Sequence, residues 1–98
     1  MNDTTRAVIA MQDYIEAHLN EPITLVQLAR AAGYSPYHAA HLFSSALGIS
    51  PLRYIRRLRL SQAAQAIRDQ DEAILQIAFD FQFDSHEGFT KAFAKQFG

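Results

Sequence analysis

The chain has 98 residues, 49% of them hydrophobic and 19% charged, with no cysteine and a formal net charge of −1. A chain of this length is one domain that buries roughly two-thirds of its unfolded surface, and the lack of cysteine excludes a disulfide framework, Cys-ligated zinc, an iron–sulfur cluster and a thiol nucleophile. The longest uninterrupted apolar run, Ala7 to Met11, falls far short of the ~18 residues of a membrane span and of a signal-peptide core, so the sequence reads as a cytoplasmic protein without a membrane partner.

Apolar residues recur at spacings of three and four, and start and stop signals divide the chain into six predicted helices, an all-α domain. The first runs near Arg6 to Leu19, with Val8, Met11, Ile15 and Leu19 on one stripe, and ends at Asn20 to Pro22. Thr24 opens the second. With Gln27 three residues on it forms a capping box, and Leu25, Leu28, Ala29 and Ala32 give the buried face before Gly33 stops the helix.

Ser35 followed by Pro36 is an N-cap with proline at the first helical position, opening a third helix with Ala39, Leu42, Phe43, Ala46 and Leu47 inward. Gly48 closes it. Ser50 and Pro51 repeat the signal and start a longer helix to about Arg68, roughly 27 Å at 1.5 Å per residue, with Tyr54, Ile55, Leu58, Ala63, Ala64 and Ile67 inward. After a polar break from Asp69 to Glu72, a short fifth helix carries Ile74, Ile77, Ala78 and Phe81. Ser85 opens the sixth, with Phe89, Ala92, Phe93 and Phe97 inward.

The near-neutral total conceals an uneven distribution of charge. Residues 1–21 set Arg6 against Asp3, Asp13, Glu16 and Glu21, and residues 69–98 set Lys91 and Lys95 against six acids. Between them, Pro22 to Arg68 contains no acid and carries Arg30, Arg53, Arg56, Arg57, Arg59 and Arg68. A basic centre of this kind suits a polyanionic partner better than the net charge suggests.

The chain also repeats. Leu25, Leu28 and Ala29 recur as Ile74, Ile77 and Ala78 at an offset of 49, and Ser35, Phe43, Leu47 and Gly48 recur as Ser85, Phe93, Phe97 and Gly98 at an offset of 50, the slip falling in the turn. Each copy is a short helix, a turn and a second helix that stops at glycine, which is the helix-turn-helix pattern. Helix pairs with short turns are common in any bundle, but two copies in matched register point to DNA. The joining helix is comparable to the ~34 Å between successive major-groove faces, so both second helices can enter adjacent grooves.

The stretches Ile23 to Ala32 (ITLVQLARAA), Gly33-Tyr34-Ser35, Leu42-Phe43, Gly48-Ile49-Ser50-Pro51, Tyr54-Ile55, Arg59-Leu60 with Ala63-Ala64, and Phe83-Asp84-Ser85 through Phe89, Phe93 and Phe97-Gly98 resemble the DNA-binding domain of the AraC/XylS transcription regulators. The resemblance covers nearly the whole chain. It implies a tandem, homeodomain-like fold within residues 1–98: a first helix-turn-helix at about 24–48, a linker helix at about 51–68 and a second helix-turn-helix at about 73–97. It also implies double-stranded operator DNA as partner; RNA polymerase is a further candidate partner, and no cofactor is expected. Two positions depart from the pattern. Gln82 stands where the family usually has glycine, and the chain stops at Gly98 where the family continues with a Ser-Pro and a last short helix. Relatives commonly carry an effector-binding or dimerisation domain, which is missing from this chain and is expected after Gly98 rather than before Met1.

In a helix-turn-helix the exposed, N-terminal part of the second helix reads base edges. The candidates are Ser35, Tyr37, His38, Ala40 and His41 in the first copy, and Ser85, His86, Glu87, Thr90 and Lys91 in the second. Positions 37, 40 and 41 align with 87, 90 and 91, and the resemblance places base or phosphate contacts there. Lys91 can donate to guanine or phosphate, Glu87 can accept from cytosine N4 but is repelled by phosphates, Thr90 can meet a thymine methyl, and Ala40 makes apolar contact only. Tyr37 is either a reader or a partly buried core tyrosine; Tyr34 and Phe83 read as core. Gly88 costs up to ~1 kcal/mol relative to alanine, which fits either close backbone approach to DNA or to a neighbouring helix, or no role.

Arg53, Arg56, Arg57 and Arg59 are phosphate candidates on the linker helix, with a solvated face as the plainer reading for some of them. Arg59 matches a family arginine, expected to be structural or phosphate-facing. The helix starts at Ser35, Ser50 and Ser85 add backbone donors for phosphate. His38 and His41, one turn apart, have no third ligand placed by sequence, so no metal is expected.

An enzyme is not expected: HExxH, GxSxG, a phosphate-binding glycine loop and paired carboxylates are all absent from the sequence. The alternative function is a protein-interaction module that keeps the fold with weak or no DNA binding, suggested by the acidic ends and by weak readers such as Ala40 and Glu87.

Overall fold

The computed structural model describes residues 2–70, 80–83 and 86–97. These are helix and turn, with no strand among the described residues. The helices are α1 (Asp3–Ala17), α2 (Leu25–Ala32), α3 (Pro36–Leu47), α4 (Pro51–Gln70) and α5 (His86–Phe97). The chain divides into two compact units, Met1–Ile55 and Arg56–Gly98, and the division falls within α4.

In the first unit α1 packs against α2 and α3, and α2 against α3. α1 starts three residues ahead of the sequence reading because Asn2 caps it, its Oδ1 accepting from the Thr5 amide at 2.7 Å. It ends at Ala17, where the His18 amide is shared between the Tyr14 and Ile15 carbonyls. Leu19 lies past that end and is still buried, with Val8, Met11 and Ile15; the turn carries it inward where a longer helix had been expected to.

The capping box at α2 is present in both directions: the Thr24 amide donates to Gln27 Oε1 at 2.8 Å and the Gln27 amide to Thr24 Oγ1 at 3.2 Å. Leu28 and Ala29 are buried, and Leu25 and Ala32, read as inward, are half-buried. Gly33 takes φ +80° and Gly48 φ +71°, the left-handed geometry that ends a helix at little cost only with glycine.

Along α3, Ala39 and Phe43 are each 0% exposed, and Leu42 is half-buried. Ala46 and Leu47, read as inward, are exposed. With 12 residues against 8, α3 is a turn longer than α2, and its last turn outruns the cover. Tyr54 joins this core edge-on to Phe43 at 5.2 Å between ring centroids, and its hydroxyl accepts from Gln12 Nε2 at 3.3 Å.

The second unit has its own cluster, in which Leu60, Ala63, Phe83, Phe89 and Ala92 are buried, with Ala66, Phe81 and Phe93 packed against them. The rings of Phe83 and Phe89 meet edge-on at 5.3 Å. Gln96 Nε2 donates to the Arg57 carbonyl and to Ser61 Oγ, both at 3.4 Å, fastening α5 to α4. Phe97, read as inward, is exposed, with its ring centroid 4.7 Å from that of Phe93. The predicted fifth helix with Ile74, Ile77 and Ala78, the cap at Ser85, and the side chains of Ile67 and His86 lie outside the described residues.

Gln82 adopts φ +67°, so the second turn keeps the left-handed geometry that glycine usually supplies. An L side chain held there costs about 1–2 kcal/mol, part of which glycine returns as unfolded-state entropy. Gln82→Gly is therefore expected to raise stability by about 0.5–1 kcal/mol and Tm by about 4 °C, read by thermal unfolding. An unchanged or lower Tm is the contrary result.

Candidate nucleic-acid interface

Burial on one side of α3 settles what its other side presents. Ala39 and Phe43 lock one face into the core, and at about 3.6 residues per turn the positions farthest around the helix from that face, Tyr37, His38 and His41 among them, point away. Tyr37 is 83% exposed, which removes the core-tyrosine reading. His38 and His41 are exposed beside it, and Ala40 is half-buried. The His38 ring meets Tyr34 edge-on at 4.8 Å, and Tyr34, read as core, is only half-buried. Ser44 continues the Tyr37–His41 line at the next turn and is exposed. Its spacing from His41 was the signal in sequence, masked by serine's lack of character.

The start of α3 offers less to an anion than its sequence implies. Pro36 has no amide proton, the His38 amide donates to Ser35 Oγ at 3.2 Å, and the Ala39 amide donates to the Ser35 carbonyl at 2.8 Å. The amide of Tyr37 is what remains of the first turn. The start of α4 repeats the pattern: Pro51 lacks the proton, and the Arg53 and Tyr54 amides both bond Ser50, leaving the amide of Leu52. A Ser-Pro start thus fixes the helix firmly and leaves one donor for phosphate.

On α5, Glu87, Thr90 and Lys91 are exposed, as is Gly88. Glu87 and Lys91, singled out in sequence as separate readers, are joined: Lys91 Nζ lies 3.3 Å from Glu87 Oε1. Phe89 and Ala92 form the buried side of this helix, matching Ala39 and Phe43 on α3 in kind.

The four arginines of α4 part company. Arg53, Arg56 and Arg57 are exposed, and the Arg56 guanidinium stands 5.9 Å from the centroid of the Phe83 ring. Arg59 is half-buried, and burial pushes its guanidinium below the ordinary arginine value. That recess separates Arg59 from the solvent-facing three. Among the described residues no group of three or more His, Cys, Asp or Glu is placed to hold a metal, and no helix is long and apolar enough to cross a membrane.

Comparison with known proteins matches residues 28–98 to the family described as "Helix-turn-helix domain". The right origin-binding protein of Escherichia coli (strain K12) is 43% identical over 84 residues, which are 86% of this chain and 29% of that protein. The multiple antibiotic resistance protein MarA of Salmonella typhimurium is 29% identical over 96 residues, 98% of this chain and 76% of that protein. Among solved structures, an AraC-type transcriptional regulator from Chromobacterium violaceum superposes with a TM-score of 0.89 at 27% identity, covering 95% of this chain and 83% of that one. The chain thus spans under a third of the length of the curated right origin-binding protein.

Proposed function

The chain belongs to the AraC-type helix-turn-helix family, and from that premise we propose that it binds double-stranded DNA sequence-specifically, as the DNA-reading part of a transcription regulator. α3 in the first helix-turn-helix and α5 in the second are the recognition helices, and they enter successive major grooves. The observation that carries this reading is Tyr37, a large aromatic held 83% exposed in the first turn of α3 while the opposite side of the same helix is locked into a core. That exposure leaves its hydroxyl and flat face open to a base edge or a phosphate.

Arg53, Arg56 and Arg57 serve the phosphates, because they are exposed in the stretch of chain without acids. Arg59 positions rather than reads, because its guanidinium is recessed. The names of the relatives support the partner: one is an origin-binding protein and others are transcriptional regulators. The same reading puts the protein in the cytoplasm with the DNA and gives it no catalytic step. RNA polymerase and an effector-binding or dimerisation domain complete it as a regulator.

Tyr37→Ala tests the assignment, since at that exposure it leaves the fold alone. Fluorescence anisotropy on a duplex selected by the wild type is expected to show affinity about tenfold lower, the scale of one lost base contact, with Tm unchanged. Equal affinity removes Tyr37 from the interface, and a wild-type protein that binds no duplex even at about 50 mM salt removes the function.

A further inference from the structure

The second recognition helix presents a feature that a simple DNA grip would avoid. Glu87 is the single acid in α5, and it stands on the reading face, its carboxylate 3.3 Å from Lys91 Nζ with both side chains about three-quarters exposed (78% and 76%). These two positions carry the register of Tyr37 and His41 in the first copy. A solvated pair at this spacing adds little to the helix, so its charge rather than its stability is the informative property. Toward phosphate the carboxylate is repulsive, and the ammonium it holds is cancelled.

We propose that the Glu87–Lys91 pair is a specificity gate: it suppresses engagement of arbitrary DNA by α5 and opens where base edges offer a partner to each half. A cytosine N4 amino group donates to Glu87, and guanine O6 and N7 accept from Lys91. Both replace what the pair gives up, whereas a run of phosphates beside any other base pair supplies a partner for Lys91 alone and leaves Glu87 unpaired in a negative field. The two residues are one turn apart, about 6 Å along the axis, against about 3.4 Å per base step. The second half-site is therefore expected to place a cytosine and a guanine within about two base pairs of each other. This inference rests on the DNA-binding reading above.

The test compares wild type and Glu87→Gln on two duplexes, one random in sequence and one selected by the wild type, at about 50 and 200 mM salt. Glutamine keeps size and helix propensity and removes the charge. The gate predicts that Glu87→Gln binds the random duplex about fivefold or more tightly, that its preference for the selected duplex over the random one shrinks, and that its salt slope steepens by about one unit as Lys91 is released to a phosphate. Selection with the variant then loses the cytosine. Unchanged affinity for random duplex and an unchanged preference overturn the gate while leaving DNA binding intact, because a pair that merely braces the helix moves neither. Failure of the wild type to bind either duplex overturns both readings.

Discussion

Phe43→Ala is expected to lower the stability of the first unit by about 3–5 kcal/mol, the cost of removing a fully buried phenyl ring and leaving part of its volume empty. Phe43 is 0% exposed and is one of the largest side chains fully enclosed. It also braces Tyr54 through an edge-on ring contact at 5.2 Å, so the loss reaches the start of α4. Against a total of about 5–15 kcal/mol for a small domain, the change brings the unit close to unfolding. The readout is unusually clean. All four tyrosines, Tyr14, Tyr34, Tyr37 and Tyr54, lie in the first unit and the chain has no tryptophan, so tyrosine fluorescence during urea unfolding follows this unit by itself. A loss under about 1 kcal/mol contradicts the core described here.

The second large effect is that of salt. Four to six neutralised phosphates give a log–log slope of roughly −4 to −5, and affinity then falls about 250- to 1,000-fold between 50 and 200 mM salt. Arg53, Arg56 and Arg57 on α4 and Arg30 on α2 are exposed, and the stretch that carries them contains no acid. The check is a titration of one labelled duplex across that salt range. A slope near zero contradicts a phosphate-based interface.

What was readable in the sequence was mainly local. Thr24 with Gln27, Ser35 with Pro36, and the glycines at 33 and 48 mark helix ends through chemistry confined to one turn, and the structure has each of them in place. The stripe of Val8, Met11, Ile15 and Leu19 was readable as well, although α1 stops two residues before Leu19. Periodicity failed where burial depends on what lies opposite. Ala46, Leu47 and Phe97 keep the helical spacing of a buried face but sit in last turns and are exposed. Leu60 was missed for the opposite reason. It lies off the stripe of Tyr54, Ile55 and Leu58, because α4 faces one core at Ile55 and another at Leu60 and Ala63, and one stripe cannot describe a helix that serves two.

The candidate interface divides in the same way. The repeat assigned positions 37, 40 and 41 and their counterparts 87, 90 and 91 to one helical face, since spacing along a helix fixes face. It did not say whether Tyr37 turned in or out, because a tyrosine is at home in either setting. It did not say that Glu87 and Lys91 meet, although the spacing of four allowed it. It also overstated the phosphate donors at the Ser-Pro starts, where the serine oxygens already hold the amides.

The most direct test is selection of duplexes from a randomised pool by the purified 98-residue chain at about 50 and 200 mM salt, with sequencing of what is retained. The account predicts an enriched motif in two halves about one helical turn apart, its enrichment weakened by Tyr37→Ala or by Lys91→Ala. Retention without an enriched motif, or no retention at either salt, contradicts it.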